Sequence, residues 1–325
     1  FGIDTRARYF AAFDSVSQLE HIMDAAKQLD TKLDLIVGEG SNILLTQNIG
    51  GLVLKNDTGG IHEVNADEQH IYLKAGGGVN WHSFVLYCVE HNYAGVENLA
   101  LIPGSVGASP MQNIGAYGVE LKDIFYELEA YHIQDKQTRV FTLEECGFGY
   151  RDSVFKNKYK GQFIITSVTY RLNKIAVLNT SYGAIEIELE KMGVTSPGID
   201  AVARAVSTIR RSKLPDWKVL GNAGSFFKNP QISLDDFRAL QQTNPGVIGF
   251  PLPGERIKLA AGWLIEQCGW KGYRNGDAGC FLNQALVLVN YGAASGTDIY
   301  NLSSEIIESV KQAFGVTLER EVNII

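Results

Sequence analysis

Cysteine is scarce, with 4 in 325 residues. They stand at Cys88, Cys146, Cys268 and Cys280, without a C-x-x-C pair or an even-spaced framework. That pattern disfavours a zinc site and a disulfide scaffold, so no metal is expected, and it suits a reducing cytoplasm. No apolar run approaches the ~18 residues that a membrane span needs, and nothing resembles a signal peptide. Positive charge is also short: a net charge of -7 and a pI near 5.5 argue against nucleic acid as the main partner. What the chain has is apolar side chains, 45% of the total, ample for a core and, at this length, for two or three domains. The first residue is Phe1 rather than methionine, which is read as a few native residues missing.

Residues 100–120, ALIPGSVGASPMQNIGAYGVE, contain Gly104, Gly107, Gly115 and Gly118, follow Gly95, and carry one ionised side chain, Glu120. Glycine at this density lets another group approach the backbone and its N–H donors, although a long packed loop is the bland alternative. A second stretch of the same kind, VGEGSNILL at 37–45, shifts the balance towards a large ligand with a diphosphate, held by amides rather than lysines. The short apolar run 33–37 reads as a strand delivering Gly38, Gly40, Ser41 and Asn42 at its carboxyl end, where α/β proteins place ligand loops. The third glycine of a dinucleotide fingerprint is absent, and Ile43 opens an apolar run instead of a helix, so a Rossmann fold is disfavoured.

Around these loops the chain reads as a strand at 9–13, a helix begun by an S-x-x-Q capping box at Ser15 and Gln18, and strands near 52–54, 61–64, 71–75, 128–133 and 163–170. Asn80 is placed to cap a helix that turns Trp81, Val85 and Cys88 inward. In GYRDSVF, Arg151 is either functional or half of a surface pair with Asp152. A helix from Asp200 turns Val202, Val206 and Ile209 to one face and places Arg204, Arg210, Arg211 and Lys213 elsewhere, with Lys218 beyond. These cations suit a diphosphate or carboxylate, or form a solvated face at a helix C-terminus. GNAGSFFKNP exposes Ser225 without a nearby histidine and outside any G-x-S-x-G, so a proton donor fits better than an acyl-transfer nucleophile. In VTLEREVNII, Val316, Leu318, Val322 and Ile324 share one face and Glu319, Glu321 and Asn323 the other, a solvated face being the bland reading.

Taken in order, IPGSVGASPMQNIGAYGVE, GEGSN, GYRDS, KLPD, GNAGSFFKNP, NQALVLVN and the terminal REV resemble the UDP-N-acetylenolpyruvoylglucosamine reductase family, flavoenzymes of peptidoglycan precursor synthesis, from one end of the chain to the other. The resemblance implies an α+β fold: a vanillyl-alcohol-oxidase-type FAD-binding region at 1–199, in two parts of about 1–55 and 56–199. An α+β substrate domain at 200–315 and a terminal strand at 316–325, returning to the active site, would follow. It implies FAD contacts at Gly38, Gly40, Ser41, Asn42, Ser105, Gly107, Asn113 and Gly115, and catalytic roles for Arg151, Ser225 and Glu321. UDP-sugar contacts are implied at Tyr182, Lys213, Asn229 and Gln284. Tyr182 resembles the tyrosine of a substrate-covering loop found in one subclass. Asn323 is a departure, since the family often has arginine there.

The implied reaction is reduction of UDP-N-acetylglucosamine enolpyruvate by NADPH through non-covalent FAD, in a monomer. Hydride from flavin N5 to the terminal enolpyruvyl carbon throws negative charge onto the adjacent carbon and its carboxylate. Arg151, permanently cationic and able to grip a carboxylate with two donors, suits that charge. Glu321 would oppose it unless protonated or paired. Ser225 would supply the proton, and NADPH and the UDP-sugar would bind alternately. Two rivals remain: a flavin oxidase of the same fold, though no histidine or cysteine in the loops is placed to tether FAD, and a non-catalytic nucleotide-sugar binder.

Overall fold

Apolar side chains at helical spacing make α1 (Val16–Gln28), which buries Leu19 and Ala26. Ser15 Oγ caps it by accepting from the Gln18 amide at 3.4 Å. The reciprocal bond of the expected capping box is displaced by one residue, because Gln18 Oε1 accepts from the amide of Asp14, at 2.8 Å. α1 connects parallel strands: Ala7–Phe13, Ile49–Asn56 and Leu33–Val37 form a three-stranded sheet in that order. An antiparallel sheet follows, ordered Gln137–Thr142, Phe125–His132, Phe163–Asn173, His70–Gly76, Ile61–Ala66. α2 (Trp81–Glu90) starts at Asn80, whose Oδ1 accepts from the Ser83 amide at 2.8 Å, and buries Trp81, Val85 and Cys88 as expected, together with Phe84. α3 (Gly183–Lys191) and α4 (Ile199–Lys213) add Ile185, Leu189, Val202, Val206 and Ile209 to the same core. Each such aliphatic side chain contributes roughly 1.5–3 kcal/mol.

The computed structural model describes residues 1–325, and its contacts divide them into two units. The first holds Ala7–Ser41 and Ile49–Arg210; the second holds Phe1–Arg6, Asn42–Asn48 and Arg211–Ile325. These bounds differ from the expected 1–199, 200–315 and 316–325 for two reasons. The buried face of α4 belongs to the first unit's core, which moves the division from about 200 to 210. The strand Ile43–Leu44 pairs in parallel with Asn323–Ile324, a partner nearly 300 residues away that no local pattern discloses.

The second unit has a four-stranded antiparallel sheet, Gly221–Ser225, Val287–Asn290, Ala278–Cys280 and Arg274–Asn275, and a three-stranded one, Gln231–Ser233, Arg256–Leu259 and Gly249–Leu252. Its helices are α5 (Leu234–Thr243), α6 (Ala261–Gln267) and α7 (Gly296–Phe314). α7 opens with a Ser295/Asp298 capping box and stops at Gly315, whose φ of 69° is left-handed. Beyond it Val316, Leu318 and Val322 are buried, as the alternation predicts, but only Asn323–Ile324 is regular strand. No helix is long and apolar enough to cross a membrane.

Candidate active site

In the first unit the two glycine-rich loops lie against each other. A Cβ on Gly38 would stand 2.2 Å from Ser105 Oγ, and one on Gly104 2.8 Å from Ser41 Oγ, so side chains at either glycine would force the loops apart. Glu39 ties them together, its Oε1 accepting from Asn80 Nδ2 at 2.6 Å and its Oε2 from the Gly104 amide at 3.2 Å. The Gly107 amide is spent on the carbonyl of Gly77, at 2.8 Å. By contrast, the amides of residues 38–41, including Gly40 at φ 66°, donate to no other group of the chain. Successive unengaged N–H groups at the carboxyl end of a parallel strand, with no lysine or arginine among them, fit a diphosphate bound by neutral donors. Among the remaining candidates, Asn113 spends its side chain internally: its Nδ2 donates to Glu120 Oε2 at 3.1 Å and to Gly149 O at 2.9 Å, and its Oδ1 accepts from the Lys122 amide at 3.0 Å.

Arg151 stands at the tip of a tight hairpin closed by bonds between Gly149 and Asp152. Its φ of 53° puts an arginine where such a turn favours glycine. The side chain reaches the Gly115 carbonyl, Nη2 donating at 2.6 Å. The surface pair with Asp152 does not form, because both Asp152 oxygens accept from Asn157 Nδ2, at 2.9 and 3.0 Å. Arg210 differs from its expected place. It follows Val206 by four residues on α4, which sets it on the buried stripe, and its Nε donates to Leu101 O at 3.2 Å. Burial first, and then the like charge of Arg151, lower its pKa, while the Tyr117 hydroxyl, hydrogen-bonded to it, acts the other way. The guanidinium stays charged. No carboxylate is among its neighbours. Of the other helix cations, Arg204 pairs with Asp200, and Arg211 and Lys213 are exposed.

Tyr117 is a residue that sequence reasoning missed. Its pKa is raised, by burial foremost, and its ring meets that of Tyr182 edge-on at 5.3 Å. The Asn98 side chain donates to Tyr117 O at 2.9 Å and to Asn179 O at 2.8 Å, tying the segment before Tyr182 to the glycine stretch. Leu101, Asn113, Tyr117 and Arg151 are half of the eight non-glycine residues with positive φ. For leucine, tyrosine and arginine such backbone costs about 1–3 kcal/mol each, and its concentration around one cluster of cations makes this a candidate functional site.

The second unit gathers the others. Ser225 ends the strand Gly221–Ser225, where a register shift against Val287–Asn290 and the φ of 69° at Gly224 form a bulge. Bulges re-aim the next side chain, which explains the small residues before the serine. The Glu321 amide donates to the carbonyl of Phe226, the next residue, at 2.8 Å, so the backbones of Ser225 and Glu321 are held close. Asn42 is in this unit too, its Nδ2 donating to Glu321 O at 3.3 Å, and Asn323 spends its side-chain amide on Asn42 O at 3.0 Å. Asn229 Oδ1 accepts from the Ala261 amide at 3.0 Å at the start of α6, and a Cβ on Gly262 would lie 3.0 Å from Gln284 Oε1. Asn229 and Gln284 thus both lie at the start of α6.

Residues 7–140 match the model of an FAD binding domain, and residues 215–325 that of the UDP-N-acetylenolpyruvoylglucosamine reductase C-terminal domain. The chain is 47% identical to a UDP-N-acetylenolpyruvoylglucosamine reductase from Flavobacterium johnsoniae, over 100% of this chain and 96% of the relative. It is 48% identical to one from Pseudomonas savastanoi, over 100% and 95%. In fold it is similar to the crystal structure of the Thermus caldophilus reductase, with a TM-score of 0.63 and 22% identity over 97% of this chain and 91% of that one.

Proposed function

Because the chain belongs to the UDP-N-acetylenolpyruvoylglucosamine reductase family, we propose that it reduces UDP-N-acetylglucosamine enolpyruvate to UDP-N-acetylmuramate with NADPH. It is an FAD-dependent oxidoreductase. FAD, when bound, supplies the electron pair that NADPH provides and the enolpyruvyl group receives. The chain's residues divide the rest of the work. The amides of residues 38–41, with Ser105, hold the cofactor's diphosphate without charge and without a covalent tether. Arg151 and Arg210 hold the substrate carboxylate, onto which charge moves as the double bond is reduced. Ser225 gives the proton to the carbon beside that carboxylate. Glu321 takes the third catalytic position, where a carboxyl group serves only if it carries its proton or is paired with a cation. Tyr182, Lys213, Asn229 and Gln284 hold the UDP-sugar, with Tyr182 on the substrate loop of its subclass.

The observation that carries this reading is the place of Arg151: a left-handed hairpin tip holds its guanidinium on the Gly115 carbonyl of the glycine-rich stretch, with half-buried Arg210 on the Leu101 carbonyl of the same stretch. Fixed cations on a glycine-rich stretch suit an anionic group of the substrate. The same reading treats the enzyme as a monomer of the cytoplasm, a compartment that the four unpaired cysteines suit. An anaerobic titration tests it: NADPH should bleach a yellow protein, and the enolpyruvyl substrate should restore the colour mole for mole. Colour indifferent to NADPH would favour a nucleotide-sugar binder. Rapid recovery with oxygen alone would favour an oxidase.

A further inference from the structure

The terminal segment contains a charge out of place. Val316, Leu318 and Val322 form its buried row, and alternation puts Arg320 in that row, on the side opposite Glu319 and Glu321. An apolar residue would satisfy the pattern. Arginine there must find partners for a guanidinium, and those it finds are neutral and all on α7. Nε donates to Ser303 Oγ at 2.8 Å, Nη2 donates to Ser304 Oγ at 2.6 Å, and the guanidinium lies 4.4 Å from the centre of the Tyr300 ring. Both hydroxyls in turn donate to the Tyr300 carbonyl, at 2.6 and 3.1 Å, so their lone pairs are turned to the arginine. Ser303 is wholly buried.

A rigid fork seated on two adjacent hydroxyls fixes a position along the helix as well as a distance from it, which a lysine or an aliphatic side chain cannot do. The flanking backbone needs such a reference. Residue 320 makes one isolated bridge, with Phe227, flanked by the bonds from Lys228 N to Glu319 O and from Glu321 N to Phe226 O. The next anchor is the clasp of Asn323 on Asn42. Lys228 and Glu319 also pair through their side chains. In an extended segment a slip of one residue exchanges the two faces, and would turn Glu321 inward. We propose that Arg320 is a positioning residue for the reaction: it locks the register of the terminal segment so that Glu321 keeps one direction beside Ser225. This rests on the catalytic assignment of Glu321, and the test separates the two.

Arg320→Met keeps the bulk and fills the buried row, so the protein should melt within a few degrees of wild type. Amide hydrogen exchange at Glu321 and Asn323 should quicken by roughly tenfold, as expected when a local anchor is lost. Flavin reduction by NADPH should stay near normal, while reoxidation by the enolpyruvyl substrate slows roughly 10- to 100-fold, the cost of a misplaced group, with a changed pH profile. Arg320→Lys, which keeps the charge but lacks the fork, should recover little of the rate, and full recovery would overturn the register lock. The Ser303→Ala/Ser304→Ala pair, on a helix with no assigned ligand contact, should reproduce Arg320→Met and add little to it. Unchanged exchange at Glu321 in a folded Arg320→Met protein overturns the proposal whatever its activity. Faster exchange with normal reoxidation overturns the positioning role, unless Glu321→Gln also reoxidises normally, in which case the register lock stands and Glu321 leaves the mechanism.

Discussion

The loop at residues 38–41 and the cluster around Arg151 belong to one unit and solve opposite problems. Residues 38–41 offer a row of uncharged donors on backbone that glycine makes cheap. The cluster offers two guanidiniums, one of them half-buried, on backbone that left-handed arginine, tyrosine, leucine and asparagine make expensive. A diphosphate whose charge is constant needs only donors in place. A charge that appears during reaction gains most from cations fixed beforehand, because they need no rearrangement when it forms. Strain is therefore concentrated at the second place and nearly absent from the first.

The sharpest way to break this comparison is at Arg151. Arg151→Ala should retain flavin and its reduction by NADPH, yet lose roughly 10²–10³-fold in reoxidation by substrate, the range for removing one preorganised electrostatic partner. Arg151→Gly should lose as much activity while melting higher, since glycine relieves the φ of 53°. Equal melting temperatures for the two variants would show that the backbone is not strained.

Ser225 comes next. Ser225→Ala should be reduced by NADPH at a near-normal rate and reoxidised about 10²-fold more slowly, with partial recovery in Ser225→Cys, because a thiol also donates a proton. Loss of both half-reactions together with a lower melting temperature would reduce the serine to a packing residue of its bulge. Smaller effects are expected at the UDP-sugar contacts. Lys213→Ala and Tyr182→Phe should each weaken binding of the UDP-sugar by about 1–3 kcal/mol in calorimetry, as for a lost hydrogen bond to a charged group. Wild-type affinity in both would leave Lys213 a solvated cation at the end of α4.

Much of this was legible in the chain. The loops announced themselves by composition, α1 and α2 by spacing and caps, and the alternation of the last ten residues by its period of two. Arg210 was not, although the signal was present: it sits four residues beyond Val206, and a charge on an apolar stripe is easily assigned to the opposite face. Tyr117 lay inside a glycine stretch that drew attention to its backbone. Arg151 could not be told from a surface pair until Asp152 was seen to be taken by Asn157. The division of the chain was the least legible feature, since it depends on Ile43–Leu44 finding Asn323–Ile324. Pairing between distant strands leaves no mark in either segment alone.

Arg210 is the sharpest test, because the sequence pattern grouped it with the solvated cations of α4 and the structure sets it apart from them. Both half-reactions of Arg210→Gln should be followed by anaerobic stopped flow, with flavin content measured on the same sample. The expected result is full flavin content, near-normal reduction at saturating NADPH, and reoxidation by the enolpyruvyl substrate slowed roughly 10²-fold, as for loss of a fixed cation beside a developing anion. Reoxidation at the wild-type rate in a flavin-replete, folded variant would contradict it.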